Sequence, residues 1–435
     1  MLARSIGMLA GLGPGLLYAG AAVGVSHLVM STKAGAQYEF LFLLLIPLIH
    51  LIKYPFYKFG PQYTALTGRN ILHGYFALGR WALATYAVMT VVSMCLIQAA
   101  VTVVTSSLAI HIFDVSIPQH YLPHVPAILV LVMAATVLYV GQYSALDKVM
   151  KVIIILLSLT TAGALGTVLM SHQGVAPLQA TNAFSLFEYA DLIFLAAFIG
   201  WMPAPMDVSV WHSVWSEEAN RKRGKPLPLR QAMIDFKVGY FGTAILAMVF
   251  LAMGALIMYG SGESPSANGV TFAGQLITLY TNTLGDWAYP LIGIAALATM
   301  FSTTLTCLDA YPRTLEACYF IWKRQDKHNH ADQTSTTQRH YRTCLALAVL
   351  GTIAIFVLIK NTPEAMGFIV TLATVVSFVS APVLAYINYR VMHGHTLARC
   401  HHPGRRMQLW SQLGVATMAL FSLSYLALLI VHSNA

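Results

Sequence analysis

Long uncharged apolar segments recur along the whole chain and limit what it can fold into more than any other feature. Each approaches or exceeds the roughly 20 residues that a helix needs to cross the core of a bilayer. Only 9% of the residues are charged, against about a quarter in soluble proteins. The sequence therefore predicts an all-α polytopic membrane protein with eleven transmembrane helices. The predicted spans are 8–30, 39–57, 82–111, 123–143, 149–171, 187–211, 238–260, 285–308, 343–360, 365–389 and 408–432.

The distribution of Lys and Arg supports this number of spans. With a cytoplasmic N-terminus, all but two of the 25 basic residues fall in cytoplasmic segments, and only Lys33 and Lys360 lie outside. Lys53, which interrupts the second span, counts here as cytoplasmic. Short cytoplasmic loops of membrane proteins carry such an excess of positive charge. We therefore expect a multi-pass protein of the plasma (inner) membrane with a cytoplasmic N-terminus and an external C-terminus.

The same pattern argues against several functions. The net charge of +9 comes from basic loops that set orientation, so no nucleic-acid partner is expected. The sequence has no phosphate-binding GxxxxGK[ST] and no metal-hydrolase spacing, and it pairs no nucleophile with a base. We expect neither an enzyme nor an ATP-driven pump, no cofactor and no obligate protein partner. The predicted partners are the lipid bilayer and a small solute or ion.

The first and sixth spans are interrupted by glycine and proline. Several glycines precede His27 in the first span, the last of them Gly24, and the sixth contains Gly200, Pro203 and Pro205. Two prolines this close remove two backbone donors, so the sixth helix should unwind near 202–205. At membrane depth, unwound backbone occurs only where protein buries it or where it lines a wet cavity. Such breaks, five spans apart, indicate a binding site near the bilayer midplane.

This spacing is typical of a five-plus-five inverted repeat within a single transmembrane domain, 1–435. The predicted repeats cover about 1–175 and about 185–392, and an extra eleventh helix covers about 408–432.

Both broken spans resemble the Nramp divalent-metal transporters. Gly13-Pro14-Gly15-Leu16-Leu17 and Ala34-Gly35-Ala36-Gln37-Tyr38 are similar to that family's first helix. Met202-Pro203 and Trp211-His212-Ser213 are similar to its sixth helix. The resemblance implies the LeuT-type fold and secondary transport by alternating access.

The chain departs from the Nramp pattern where that family binds metal. The family's Asp-Pro-Gly-Asn is Gly24-Val25-Ser26-His27 here, and its Met-Pro-His is Met202-Pro203-Ala204. The third span, where the family places acidic residues for proton passage, has none between Trp81 and Phe113. A dehydrated Mn or Fe ion usually needs a carboxylate ligand. We therefore expect ion-coupled symport of a non-metal or organic solute.

Two alternatives stay open. A rebuilt site of His27, Met202 and Asp207 would support proton-coupled import of a divalent metal ion. A membrane sensor or channel would keep the fold without transporting.

The candidate functional residues lie at the two breaks and in the eighth span. The candidate substrate-binding residues are Gly24, Ser26, His27, Gly200, Trp201, Met202 and Ala204, with Tyr18, Gln98 and Trp211 as further polar or stacking groups. The candidate residues for a coupling H+ or Na+ are Asp207, Ser302, Thr303 and Thr304. A carboxylate inside a span often marks an ion path, although Asp207 can instead cap a half-helix. Hydroxyls of the eighth helix resemble the cation site of sodium-coupled LeuT-type carriers.

Overall fold

All regular secondary structure in the described part of the chain is helical. The computed structural model describes residues 13–118, 121, 123–140, 158–170, 184–259, 265–266, 268–323, 333–359, 362, 364–395 and 397–433. The first six spans are α1a (Pro14–Ala22), α1b (Val25–Ser31 and Thr32–Tyr38), α2 (Leu45–Thr67), α3 (Arg80–Ile112), α4 (His124–Val140), α5 (Ser158–Met170), α6a (Tyr189–Trp201) and α6b (Asp207–Arg223). The others are α7 (Leu229–Met253, continued by Gly254–Met258), α8 (Tyr289–Trp322), α9 (Gln333–Leu358), α10 (Ala365–His393) and α11 (Arg405–Ser433).

A helix stands at each of the eleven predicted spans. Within the described residues, seven helical segments are long and apolar enough to cross a bilayer, and α4, α5 and α6a are shorter apolar helices. Lys53 and Lys58 make α2 less apolar, yet its 23 residues are sufficient to cross. The predicted second span, 39–57, was placed too early, because residues 39–44 form turns. Gly68 ends α2 in the left-handed region, at φ 74°.

Four glycines hold the broken first helix against α7. Gly15 of α1a meets Gly239 of α7 before the break in chain order, and Gly35 of α1b meets Gly254 of α7 after the break. A Cβ on any of these glycines would lie 2.0–2.3 Å from a backbone carbonyl oxygen of the other helix. Small residues allow such close approach between membrane helices. Both halves of the first helix are therefore fixed to α7 by backbone contact.

Asp235 of α7 anchors the start of α1a. Its carboxylate oxygens accept hydrogen bonds from the backbone N–H of Gly13 at 3.1 Å and of Gly15 at 2.7 Å. The first N–H groups of a helix lack intrahelical partners and form the positive end of the helix dipole. The carboxylate therefore satisfies two such donors with a favourable charge.

Asp235→Asn is expected to destabilise the protein by about 1–2 kcal/mol, because it removes the charge and one of the two acceptors. The measurement is the melting temperature of the purified variant in detergent. Asp286→Asn, at an exposed aspartate, is the control. An unchanged melting temperature for Asp235→Asn would show that the anchor contributes nothing.

Candidate functional site

The first helix is broken between α1a and α1b, as predicted. Gly24 has φ −133° and ψ −124°, and the chain resumes at Val25 as a π-helix. The Ser26 hydroxyl donates to the carbonyl of Ala22 at 2.6 Å, so it satisfies an acceptor at the end of α1a. Short π-helical segments are frequent at functional sites.

The sixth helix is broken at residues 202–206, also as predicted. The unwound backbone is buried, and Tyr57 of α2 satisfies part of it. The Tyr57 hydroxyl donates to the carbonyl of Ala204 and lies 3.0 Å from that of Pro205. Buried carbonyls need such partners, because unpaired ones are costly.

Lys53 of α2, which the charge count assigned to a cytoplasmic segment, lies inside the helix and binds the end of α6a. Its ammonium donates to the carbonyls of Ile199 at 2.6 Å, Gly200 at 3.3 Å and Met202 at 2.8 Å. The side chain is 1% exposed. The last carbonyls of a helix lack intrahelical partners and form the negative end of its dipole, so a cation is stabilised there. The sequence showed only a charge inside an apolar segment.

The two breaks face each other. α1a packs against α6b, and α1b packs against α6a. His27, at the start of α1b, is fully buried, with Nδ1 2.7 Å from the Ser26 hydroxyl. The His27 ring lies near the backbone of Thr243, but among the described residues Nε2 forms no hydrogen bond of good geometry. A buried polar atom without a partner costs free energy, so a ligand that pairs with it would gain affinity.

An aromatic cluster lies beside the breaks, on the side of α1a. It consists of Tyr18, His50, Tyr57, His212 and Tyr240. The ring centroid of Tyr18 is 5.7 Å from those of Tyr57 and His212 and 6.0 Å from that of Tyr240. The Tyr18 hydroxyl lies near the Thr243 side chain, and within the described part of the chain Tyr18 Oη, His50 Nε2 and both ring nitrogens of His212 form no hydrogen bond of good geometry. The cluster combines stacking faces with neutral polar groups, as small-molecule sites do.

Most of this cluster could not be predicted. The sequence indicated Tyr18 as a stacking group, and His212 only as part of a motif. His50, Tyr57 and Tyr240 belong to helices where aromatic side chains face lipid or pack by default, and only the tertiary contacts bring them together.

Asp207 is the first residue of α6b and is 2% exposed. Its carboxyl lies near Ser93 of α3 and near Cys307 and Tyr311 of α8. Ser93 lies near both groups, and within the described ranges neither Asp207 Oδ1 nor Tyr311 Oη forms a hydrogen bond of good geometry. The position at a half-helix N-terminus agrees with the capping interpretation, because the helix dipole favours a carboxylate there. The unpaired oxygen leaves a proton or ion role open.

The three residues of the metal alternative have different neighbours. His27 pairs with Ser26, Asp207 lies near α3 and α8, and the Met202 carbonyl accepts from Lys53. Within the described residues, no group of three or more His, Cys, Asp or Glu side chains is placed to hold a metal ion.

Of the eighth-span hydroxyls, Thr303 reaches the broken first helix. Its Oγ1 lies 3.1 Å from the carbonyl oxygens of Gly20 and Thr299. Ser302 donates back to Thr299 at 2.7 Å, and Thr304 Oγ1 lies 2.8 Å from a threonine hydroxyl of α3. Only Thr303 therefore occupies the position that the resemblance implies for a cation site beside α1a.

Gly200 and Trp201 face α10. The indole N–H of Trp201 donates to the Ser377 hydroxyl at 2.8 Å. A Cβ on Gly200 would lie 2.3 Å from the carbonyl oxygen of Thr374. These two residues hold the end of α6a against α10. Gln98 bridges α3 and α8, since its amide N–H₂ donates to the Thr304 carbonyl at 3.3 Å.

A cavity of about 350 Å³ lies away from the breaks, beside the later turns of α6b and α8. Charged residues from both helices line it, among them Glu217, Arg221 and Arg313. Arg313 Nε is 2.6 Å from Asp309 Oδ2, so the i,i+4 spacing of this pair produces an ion pair. The lining segments are those that the charge pattern predicts to be cytoplasmic.

The chain is similar in sequence to a bacterial protein. An uncharacterized protein of Pasteurella multocida strain Pm70 is 35% identical over 422 residues, which is 96% of this chain and 92% of that protein. The chain belongs to the same family as this Pasteurella protein. No family model matches the chain.

Solved structures share the fold across nearly the whole chain. A mutant of the manganese transporter of Eremococcus coleocola superposes with a TM-score of 0.72 at 12% identity, covering 96% of this chain and 86% of that one. MhsT in complex with L-phenylalanine superposes with a TM-score of 0.60 at 14% identity, covering 96% and 98%. The chain therefore has the LeuT-type fold of a multi-pass membrane protein, and the predicted fold class is confirmed.

Proposed function

We propose that this protein is a secondary active transporter, a divergent Nramp relative, which moves a small organic or other non-metal solute by alternating access. The observation that carries the proposal is the pair of broken helices whose breaks face each other beside buried, unpaired polar atoms. Broken helices supply backbone groups to a substrate at the bilayer midplane. The solute would bind between Gly24 to His27 and Met202 to Ala204.

The chemistry of the breaks favours a solute that is not a metal ion. Gly24 offers no ligand where a carboxylate would offset the dehydration of a dication. The neighbouring unpaired atoms, on Tyr18, His27 and His212, belong to neutral hydrogen-bonding groups beside aromatic rings. Such groups recognise the polar and apolar parts of an organic molecule together.

Coupling to an ion completes the proposal. Asp207 would carry H+, or Thr303 with the Gly20 carbonyl would contribute to a Na+ site. We also propose the inverted repeats at about 1–175 and 185–392, and a plasma (inner) membrane location with the N-terminus in the cytoplasm.

The test is ligand binding by the purified protein, followed by transport. Thermal stability is measured with Mn, Fe, Cd and Mg ions and with a panel of amino acids and other small organic solutes. A ligand of the native state raises apparent stability by mass action. We expect saturable stabilisation by an organic compound, no response to metals, and counterflow of that compound in proteoliposomes.

The alternatives have their own outcomes. Saturable stabilisation by Mn or Fe, lost in Met202→Ala, would establish metal transport instead. Binding without counterflow would establish a sensor, and flux that does not saturate would establish a channel.

His27→Ala is expected to weaken binding of the stabilising solute about tenfold or more, because a hydrogen bond inside a dry site is lost. The measurement is calorimetric titration of the folded variant. His111→Ala, at the end of α3, is the control, since that histidine lies away from both breaks. Equal affinity in His27→Ala and the parent would remove His27 from the site.

A further inference from the structure

We infer that the Lys53 ammonium is a fixed cation that occupies, at the end of α6a, the place that a mobile cation could otherwise take. Lys53 thereby positions the sixth-helix break. The geometry around Lys53 is independent of the proposed function. Only the consequence for transport rests on the proposed function.

The protonated form of Lys53 matches its surroundings. An ammonium has three N–H donors and no acceptor, whereas a neutral amine has only two donors. Three carbonyl oxygens, of Ile199, Gly200 and Met202, lie 2.6–3.3 Å from Nζ. Each can only accept, so the set uses every donor of an ammonium and would leave one carbonyl unpaired beside a neutral amine.

Backbone oxygens alone hold the charge. Among the described residues, no carboxylate forms an ion pair with Lys53. The three carbonyls end α6a, where the aligned peptide dipoles place partial negative charge. The three carbonyl oxygens form an oxygen cage of the kind that binds a small cation at an unwound helix. Here the cage holds the ammonium of Lys53, which is tethered to α2.

α2 holds the break through a second side chain. Tyr57, one turn after Lys53, contacts the carbonyl oxygens of Ala204 and Pro205. The two side chains together reach five carbonyl oxygens of residues 199–205, so α2 and the break are joined as one unit.

At the first-helix break, no lysine of the described residues binds the backbone carbonyls. The carbonyl oxygens of Gly20 and Ala22 are approached by the hydroxyls of Thr303 and Ser26. Neutral hydroxyls tolerate a nearby cation, whereas the fixed ammonium at α6a repels one. A mobile Na+ is therefore favoured at the first break over the end of α6a, and Asp207 stays the candidate for H+.

The test is chemical rescue of Lys53→Ala, which empties the cage. The melting temperature in detergent is measured in ethylammonium, sodium and choline chlorides of equal concentration. We expect the variant to melt roughly 5 °C or more below the parent in choline, because three buried carbonyls lose their donors. Ethylammonium or Na+ should recover part of that loss, whereas choline has no N–H donor and should not.

Controls separate a fixed cation from general packing. The parent and Lys58→Ala, a half-buried lysine of the same helix, should respond equally to the three salts. Lys53→Arg keeps charge and donors and should retain solute uptake, whereas Lys53→Gln and Lys53→Met should reduce it at least tenfold.

Three results would overturn the inference: a parent-like melting temperature for Lys53→Ala, a loss that neither ethylammonium nor Na+ changes, or full uptake by Lys53→Met. If Lys53→Ala does not fold, the comparison of Lys53→Arg with Lys53→Gln decides. Because melting needs no substrate, failure of the transport proposal would leave the rescue result intact.

Discussion

Asp207→Asn is expected to abolish proton-driven accumulation of the solute while exchange continues. The amide keeps the size of the carboxyl and its place at the start of α6b, but it cannot bind and release a proton. A buried carboxyl with an unpaired oxygen between α3, α6b and α8 suits such a carrier. α3 itself has no carboxylate, so Asp207 would replace the acidic residues of the Nramp third helix.

The measurement is uptake by proteoliposomes with and without an imposed pH gradient, beside counterflow without a gradient. We expect counterflow at parental rates and no response to the gradient. Asp191→Asn, in the first turn of α6a, is the matched control and should keep the response. If accumulation still follows the gradient in Asp207→Asn, Asp207 only caps α6b, and a lower melting temperature would be its sole effect.

Gly24→Ala is expected to reduce transport at least tenfold. A Cβ at this position would lie 2.7 Å from Thr303 Oγ1 and 2.8 Å from Thr303 Cγ2. Contacts that short cannot persist, so the Thr303 side chain or the helices α1a and α8 must shift at the break, at a cost of about 1–3 kcal/mol. The displacement would also move the Thr303 hydroxyl away from the Gly20 carbonyl.

A second substitution distinguishes this clash from other causes. Thr303→Ala removes both atoms nearest to the new Cβ, so the double variant should transport better than Gly24→Ala alone. The rates of the two single variants and the double variant give the coupling between the sites. Gly242→Ala, where a Cβ meets nothing within 4 Å, is the control and should be neutral. No improvement in the double variant would contradict the steric explanation.

The two helix breaks show what local sequence can predict. Pro203 and Pro205 withdraw backbone donors and glycines weaken the first helix, so the unwound positions follow from residue type alone. The boundaries of α2 were less predictable. Lys53 was interpreted as an interruption of the second span because a lysine in lipid is costly, whereas the protein interior offers it three carbonyls.

The candidate site was predictable where residues lie at the breaks, and unpredictable where they come from other helices. Ser26, His27 and Met202 are local to the unwound segments. Gly200 and Trp201 also lie next to a break, but the rotation of α6a about its axis directs them towards α10. The sequence alone does not specify that rotation. Among the eighth-helix hydroxyls, no feature of the sequence distinguishes Thr303 from Ser302 and Thr304.

The sequence by itself determined an eleven-span helical membrane protein with two broken helices, because span length, charge placement and Gly/Pro chemistry act over short distances. The tertiary structure alone decided which groups complete the centre. Lys53 and Tyr57 on α2 and Tyr240 on α7 reach the breaks only because helices remote in sequence pack side by side. A buried polar group takes its meaning from its partners, and those partners exist only once the helices are assembled.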